Sequence, residues 1–175
     1  FMPKIIEANK DSIILIVKKL IQEKRYDELN CRQIAKIANI SSGTLYHFFS
    51  SKMEMIAYVL LDDWNKTIHQ IQTQVSLKEG LKNIYDGISS FSKNYYSLWE
   101  YSKQNSFEYV SYLSKHSLLV NQIQEVLLKI ISYNNLTIDN DILEFISETI
   151  LSYSTRLIDY HKIEKIFIKL IGGAN

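Results

Sequence analysis

The segment from Asn30 to Glu54 constrains the fold of this chain more than any other part of the sequence. Small and apolar residues recur in it at intervals of three and four, which is the spacing of one face of an α-helix. Asn30 with Gln33 has the pattern of a helix N-cap, and Ser41 offers another after the interruption at Asn39. The pattern predicts two short helices joined by a tight turn. The first helix carries the stripe Cys31, Ile34, Ala35 and Ala38.

The second of these helices is amphipathic in an unusual way. Leu45 and Phe49 are four residues apart and can both face the core. The outward side chains are small hydrogen-bonding groups followed by larger amphipathic ones, which suits a helix whose N-terminal end meets base edges and phosphates in a major groove. We therefore expect double-stranded DNA as a partner. The outward residues are Ser42, Gly43, Thr44, Tyr46 and His47.

A further helix start follows the second helix. Ser51 and Glu54 have the spacing of a capping box, and Lys52 lies between them. Backbone N–H groups and the helix dipole favour an anion at such a terminus, and the lysine adds a full positive charge. The sequence therefore predicts a DNA phosphate at Lys52.

These residues resemble the DNA-binding signature of TetR-type transcriptional regulators, and the resemblance covers roughly the first third of the chain. It rests on Ile34, Ala35, Ala38, Ile40, Ser41, Gly43, Thr44, Leu45, Tyr46, Phe49, Ser51 and Lys52. The resemblance implies that Tyr46 and Lys52 contact phosphates and that the start of the second helix faces bases. The predicted DNA-binding residues are Asn30, Ser41, Ser42, Gly43, Thr44, Tyr46, His47 and Lys52.

The sequence departs from that family pattern at three positions. Arg25 stands where a glycine is usual, Phe48 where a histidine or tyrosine is common, and Ser42 where a basic residue is frequent. Phe48 cannot donate a hydrogen bond to a phosphate, so we expect one positioning contact to be missing or replaced by apolar packing. Arg25 adopts a positive φ less readily than glycine does, so we expect the turn after the first helix to differ.

Composition supports an all-α fold. Five glycines and one proline among 175 residues leave few helix breakers. The single cysteine, Cys31, excludes an internal disulfide framework, and we expect it to be a buried small apolar residue. We find no signal-peptide pattern or membrane-length apolar run, and so expect a cytoplasmic protein without a membrane partner. The part up to Met55 is net positive and the remainder mildly negative, which favours the N-terminal part as the nucleic-acid surface.

Helical periodicity divides the chain into two predicted domains. Residues 4–52 form an N-terminal three-helix helix-turn-helix domain, and residues 53–172 form a helical effector-binding and dimerisation domain. A long helix from Met53 should join them and transmit movement to the DNA-binding helices. The first helix carries Ile13, Ile14, Val17, Leu20 and Ile21, and the joining helix carries Met53, Ile56, Ala57, Leu60, Leu61, Trp64, Ile68 and Ile71.

The second domain contains a concentration of aromatic residues. We expect a loop at residues 76–80, a helix at about 77–93, and then aromatic side chains that either line a ligand cavity or form ordinary core. The family resemblance implies a small-molecule effector here. His116, on a helix predicted from about Ser106 to Ser132, either contacts the effector or is a hydrogen-bonded structural histidine. The predicted effector-binding residues are Tyr95, Tyr96, Trp99, Phe107, Tyr109, Tyr112 and His116.

Two apolar helices end the chain. Asp139 or Asp141 can cap the first of them, and a glycine pair ends the second. They resemble the pair that forms a four-helix dimer interface in TetR-type regulators, which implies a homodimer and a palindromic operator. The predicted interface residues are Phe145, Ile146, Ile150, Tyr153, Leu157, Ile163, Ile166, Phe167 and Leu170.

Other functional classes have less support. The four histidines are scattered, and no zinc-protease, phosphate-loop or nucleophile-elbow motif occurs, so we expect neither an enzyme nor a cofactor. Asp62, Asp63 and His69 are better explained as solvated charges than as metal ligands. The prediction is a ligand-responsive regulator, most simply a repressor, released from its operator by a small-molecule effector. The alternative is a helical protein–protein interaction module without DNA-binding activity.

Overall fold

The computed structural model describes residues 10–104 and 116–172, and every regular element in these ranges is helical. The all-α expectation is therefore confirmed. The elements are α1 (Lys10–Gln22), a 3₁₀ turn (Tyr26–Glu28), α2 (Cys31–Ile37), α3 (Ser42–Phe48), α4 (Lys52–His69), α5 (Leu77–Gln104), α6 (His116–Tyr133), α7 (Asn140–Thr155) and α8 (His161–Gly172).

The described residues fall into two compact units. The N-terminal unit comprises residues 10–62 and 97–104, and the C-terminal unit comprises residues 63–96 and 116–172. Helices α4 and α5 each contribute residues to both units. The functional division at residue 52 stays a prediction.

The core of the N-terminal unit follows the predicted helical stripes. Burying an aliphatic side chain of this size contributes about 1.5–3 kcal/mol relative to leaving it exposed. From α2, Ile34 and Ala35 are buried, whereas Cys31 is half-buried, so the expectation of a buried cysteine was wrong. The buried residues of α1 are Ile13, Ile14, Val17, Leu20 and Ile21, as predicted.

In the turn after α1 the positive φ occurs at the residue before Arg25 and not at Arg25 itself. The left-handed conformation lies at Lys24, with φ 57°, while Arg25 has φ −86°. Arg25 donates hydrogen bonds to Glu28, at 2.7 Å, and to Glu23, at 2.9 Å. Arg25 fits this turn because its own φ is negative. The positive φ, which costs free energy for any residue other than glycine, is adopted by Lys24 instead.

The C-terminal unit is built around α5, α6 and α7. Trp64 of α4 is fully buried, and its indole N–H donates to Gln122 Oε1 of α6 at 2.7 Å. A buried indole needs such an acceptor because an unpaired N–H costs free energy away from water. The fully buried aliphatic and aromatic residues here include Leu81, Ile84, Ile88, Ile123, Leu127, Ile130, Ile146, Ile150 and Phe167.

Two sequence-based boundaries in this unit were wrong. Residues 77–80 are helical, because Ser76 caps α5 by accepting a hydrogen bond from the Glu79 N–H at 3.3 Å. Helix α5 also continues past Lys93 to Gln104, so the aromatic stretch from Tyr95 to Tyr101 lies on the same helix. Gly80 is tolerated within the helix because it packs closely against α6.

Within the described ranges, no helix has both the length and the apolar character needed to span a bilayer.

Candidate nucleic-acid interface

Helices α2 and α3 each begin at a side-chain cap, and a tight turn joins them. Asn30 Oδ1 accepts from the Gln33 N–H at 2.9 Å, and Ser41 Oγ accepts from the Thr44 N–H at 3.0 Å. Between the helices Asn39 has φ 55°, a conformation that asparagine tolerates better than most residues. Both predicted N-caps are confirmed, and they determine where α2 and α3 begin.

Helix α3 has a buried side and an exposed side. Leu45 and the residue that ends the helix, Phe49, are fully buried, so the predicted inward pair is confirmed. Since the inward residues anchor α3, its polar residues form a continuous surface open to a partner. The exposed residues are Ser41, Ser42, Gly43, Thr44, Tyr46 and His47.

The start of α4 carries a variant of the predicted capping box. Ser51 Oγ accepts from the Glu54 N–H at 3.1 Å, as expected. The Glu54 carboxylate turns back to Ser50 rather than to Ser51, accepting from its N–H at 2.6 Å and from its hydroxyl at 2.7 Å. These hydrogen bonds from Ser50 lower the pKa of Glu54. The helix start is therefore held by a carboxylate that stays ionised at neutral pH.

Lys52 is half-buried in the first turn of α4. Burial lowers the pKa of its ammonium group, while electrostatic interactions with Asp27 and Cys31 oppose that effect. The lysine therefore lies at the start of α4, close enough to Asp27 and Cys31 to interact with them electrostatically.

Tyr46 is 54% exposed and lies beside Cys31. A side-chain hydrogen bond with Cys31 raises the pKa of Tyr46, so the phenol stays protonated and can donate to an anion. Phe48 is half-buried and its ring meets His47 edge-on, with centroids 5.7 Å apart. Phe48 therefore packs against the His47 ring, and its side chain has no polar group that could bind a phosphate.

The predicted set of DNA-binding residues left out three basic residues of this unit. Arg32 and Lys36 are four residues apart on the exposed side of α2, and the charge of Arg32 acts on Tyr46. Lys10 of α1 lies over the Tyr58 ring at 4.0 Å and over Phe49 at 5.2 Å. Arg32 and Lys36 could have been predicted from the sequence, because they are four residues apart and lie opposite the buried stripe of α2.

The predicted effector residues are dispersed among different environments. Tyr95 is buried and its hydroxyl donates to Asp63 Oδ2 at 2.5 Å, while Tyr96 is 52% exposed. Trp99 is half-buried and belongs to the N-terminal unit. His116 Nε2 lies 2.8 Å from a Glu148 oxygen, which agrees with the interpretation of a hydrogen-bonded structural histidine. The remaining predicted residues, Phe107, Tyr109 and Tyr112, lie outside the described residues.

The predicted dimer residues include both core and surface positions. Phe145 and Ile166 are about half exposed, Leu157 is 39% exposed, and Tyr153 and Leu170 are half-buried. The sequence-based set therefore needs correction, because side chains that are buried within one chain have no surface to offer a second copy. These core residues are Ile146, Ile150, Ile163 and Phe167.

Comparisons with known proteins agree with this architecture. Residues 18–59 match the family model described as bacterial regulatory proteins, tetR family. A TetR-family transcriptional regulator from Streptomyces coelicolor is 17% identical with a TM-score of 0.60, and the match covers 92% of this chain and 76% of that one. The dihydroxyacetone kinase operon activator DhaS is 15% identical with a TM-score of 0.53, over 94% of this chain and 95% of its own. A comparison with curated proteins gave no match.

The two structural neighbours establish the fold. The residues that match the family model include all of α2 and α3, and therefore the exposed surface of α3. Through residues 18–59, the helix-turn-helix part of this chain is similar to the tetR family of bacterial regulatory proteins, which are DNA-binding transcriptional regulators.

Proposed function

We propose that this protein is a ligand-responsive repressor that binds a palindromic operator as a homodimer and is released by a small-molecule effector. The observation that carries the proposal is the division of α3 into a buried side, with Leu45, and an exposed polar side, with Thr44 and His47. A helix anchored in this way presents fixed donors and acceptors to base edges.

We assign the contacts to DNA bases and the contacts to the DNA phosphates to different residues. Thr44 and His47 lie on the exposed side of α3 and are proposed to face base pairs. Tyr46 and Lys52 are proposed to contact phosphates, and Arg32, whose charge acts on Tyr46, adds to the same positive surface. Phosphate contacts fix the register of the helix, and base contacts provide sequence preference.

Exposed apolar residues on the last two helices support the proposed dimer. Phe145 of α7 is 54% exposed and Ile166 of α8 is 52% exposed. Large apolar side chains of this kind are favourable contacts when the same surface of a second copy covers them. A two-fold dimer would place its DNA-reading helices about 34–36 Å apart, or a multiple of that distance.

The C-terminal unit offers space for an effector. A groove of about 570 Å³ is lined by residues of α4, α5 and the connection between them, including Thr67, Asn83 and Phe91. The Phe91 ring lies 5.1 Å from that of Tyr95, the first of the predicted effector residues. An effector that bound the released state more tightly would shift the population away from DNA.

A gel-shift assay and a footprint on the region upstream of the gene that encodes this chain test the proposal. We expect protection of two half-sites related by a two-fold axis, with affinity that falls steeply as salt rises. Failure to bind duplex DNA even at low ionic strength, together with binding to a protein partner, would support the interaction module instead. A reporter gene behind the same region decides the direction of regulation. This measurement matters because the structural neighbour DhaS is described as an operon activator.

A further inference from the structure

The C-terminal end of α5 contacts the 3₁₀ turn of the N-terminal unit through two tyrosines. Tyr26 is buried in that turn and its hydroxyl donates to Ser97 Oγ at 2.7 Å. The Tyr101 hydroxyl donates to Asp27 Oδ1 at 3.0 Å. The rings of Tyr26 and Tyr101 also pack together, with centroids 4.9 Å apart and planes tilted by 38°. We call these four residues the α5–turn clamp.

The clamp continues directly into the helix-turn-helix. The Asp27 carbonyl oxygen accepts a hydrogen bond from Asn30 Nδ2 at 3.0 Å. The same Asn30 side chain caps α2 by accepting from the Gln33 N–H at 2.9 Å. A chain of hydrogen bonds therefore runs from Tyr101 through Asp27 and Asn30 to the first turn of α2. Because α2 packs on α3, the position of this turn bears on the DNA-reading helix.

The Asp27 carboxylate also acts on a predicted phosphate contact. Its negative charge raises the pKa of Lys52, against the larger effect of burial. The carboxylate that accepts from Tyr101 thus lies close enough to influence the Lys52 ammonium group. If Asp27 is held in one position, the position of the Asn30 cap and the electrostatic interaction between Asp27 and Lys52 are both maintained.

We propose that Ser97 and Tyr101 of α5 are positioning residues for DNA binding, which hold the 3₁₀ turn and, through Asp27 and Asn30, the start of α2. The proposal rests on the DNA-binding role of the helix-turn-helix. Helix α5 runs without interruption from residues 77–96 of the C-terminal unit to Ser97 and Tyr101 of the N-terminal unit, so α5 as well as α4 is shared by the two units. The expectation from the sequence assigned that connection to α4 alone.

Two substitutions remove the α5 side of the clamp while leaving the 3₁₀ turn unchanged. Tyr101→Phe removes one hydroxyl donor but keeps the ring, and Ser97→Ala removes the acceptor of Tyr26. Matched controls are Tyr133→Phe and Ser132→Ala, which make the same chemical changes at exposed positions of α6. Each full-length variant is titrated against the footprinted upstream duplex and against a random-sequence duplex of equal length. Thermal unfolding and amide hydrogen exchange at Gln33 are measured in parallel.

Each clamp substitution should weaken binding to the upstream duplex about fivefold relative to its control, the effect of losing one hydrogen bond. Exchange at Gln33 should become faster, and binding to the random duplex should change less. Since a merely structural role would lower the melting temperature without altering the affinity of the folded protein, unchanged affinity in both variants would overturn the proposal. Wild-type protein that binds neither duplex would instead refute the DNA-binding role itself, so the two failures are distinguishable.

Discussion

Gly80 of α5 lies directly against Ile130 of α6: a Cβ atom at Gly80 would be 2.7 Å from Ile130 Cγ2 and 2.8 Å from its Cδ1. Ile130 is fully buried, so its side chain has little freedom to move aside. Gly80→Ala should therefore lower the free energy of unfolding by about 1–3 kcal/mol through overpacking, despite the better helix propensity of alanine. Urea unfolding followed by circular dichroism measures this change.

Gly87→Ala is the matched control on the same helix. Its Cβ would meet Thr67 Cγ2 at 3.4 Å, which is an ordinary contact. This variant should therefore gain up to about 1 kcal/mol from helix propensity. Equal effects of the two substitutions would contradict the close α5–α6 approach at Gly80.

The carboxylate of Glu54 should make the stability of the N-terminal unit depend on pH. Hydrogen bonds from Ser50 lower the pKa of Glu54 in the folded state below its ordinary value of 4.5. The stabilisation is thus complete above that value and is lost as the pH falls through the lower folded-state pKa. Wild type should melt at a higher temperature than Glu54→Gln at about pH 7, and the difference should shrink at about pH 3.5. Glu125→Gln, at an exposed position on α6, is the control and should not show this pattern.

Lys52 should contribute affinity without sequence preference. Its half-buried ammonium group lies at the start of α4, where it is proposed to meet a phosphate. Lys52→Ala should weaken binding to all duplexes alike and reduce the slope of log K against log salt by about 1 per subunit. Fluorescence anisotropy across a salt series provides the measurement. An unchanged affinity and slope would remove Lys52 from the phosphate contacts.

His47 should contribute sequence preference. It is exposed on α3 and its ring is supported by Phe48. His47→Ala should reduce discrimination at one base-pair position per half-site by about 1–3 kcal/mol and change the preferred base there. Competition among duplexes with single base-pair changes reveals the position. An equal loss of affinity for all competitor duplexes would indicate that His47 contacts the DNA backbone instead of a base.

Phe145 should lie in the proposed dimer interface. Phe145→Glu places a charge at a 54% exposed apolar position of α7 and should convert the protein to monomers in analytical ultracentrifugation. Leu128→Glu adds the same charge at a 44% exposed leucine of α6 and should leave the dimer intact. The assignment fails if both variants behave alike, or if wild type is itself monomeric.

The sequence by itself determined the helical class, the two caps of the helix-turn-helix and the face of α3 that is buried. These features depend on interactions within a few residues: Asn30 and Ser41 cap helices whose N–H groups are three residues away, and Leu45 and Phe49 share a face because the helix repeats every 3.6 residues. Local physics of this kind is encoded locally, so a single sequence is enough to predict it.

Only the tertiary structure decided which apolar residues face the core and which remain exposed. On α7, Ile146 and Ile150 are buried whereas Phe145 is exposed, although all three are apolar, because the neighbouring helices determine which side of α7 is covered. The hydrogen bond from Tyr101 to Asp27 likewise joins residues 74 positions apart. Such contacts depend on how distant segments pack, and no local pattern specifies that packing.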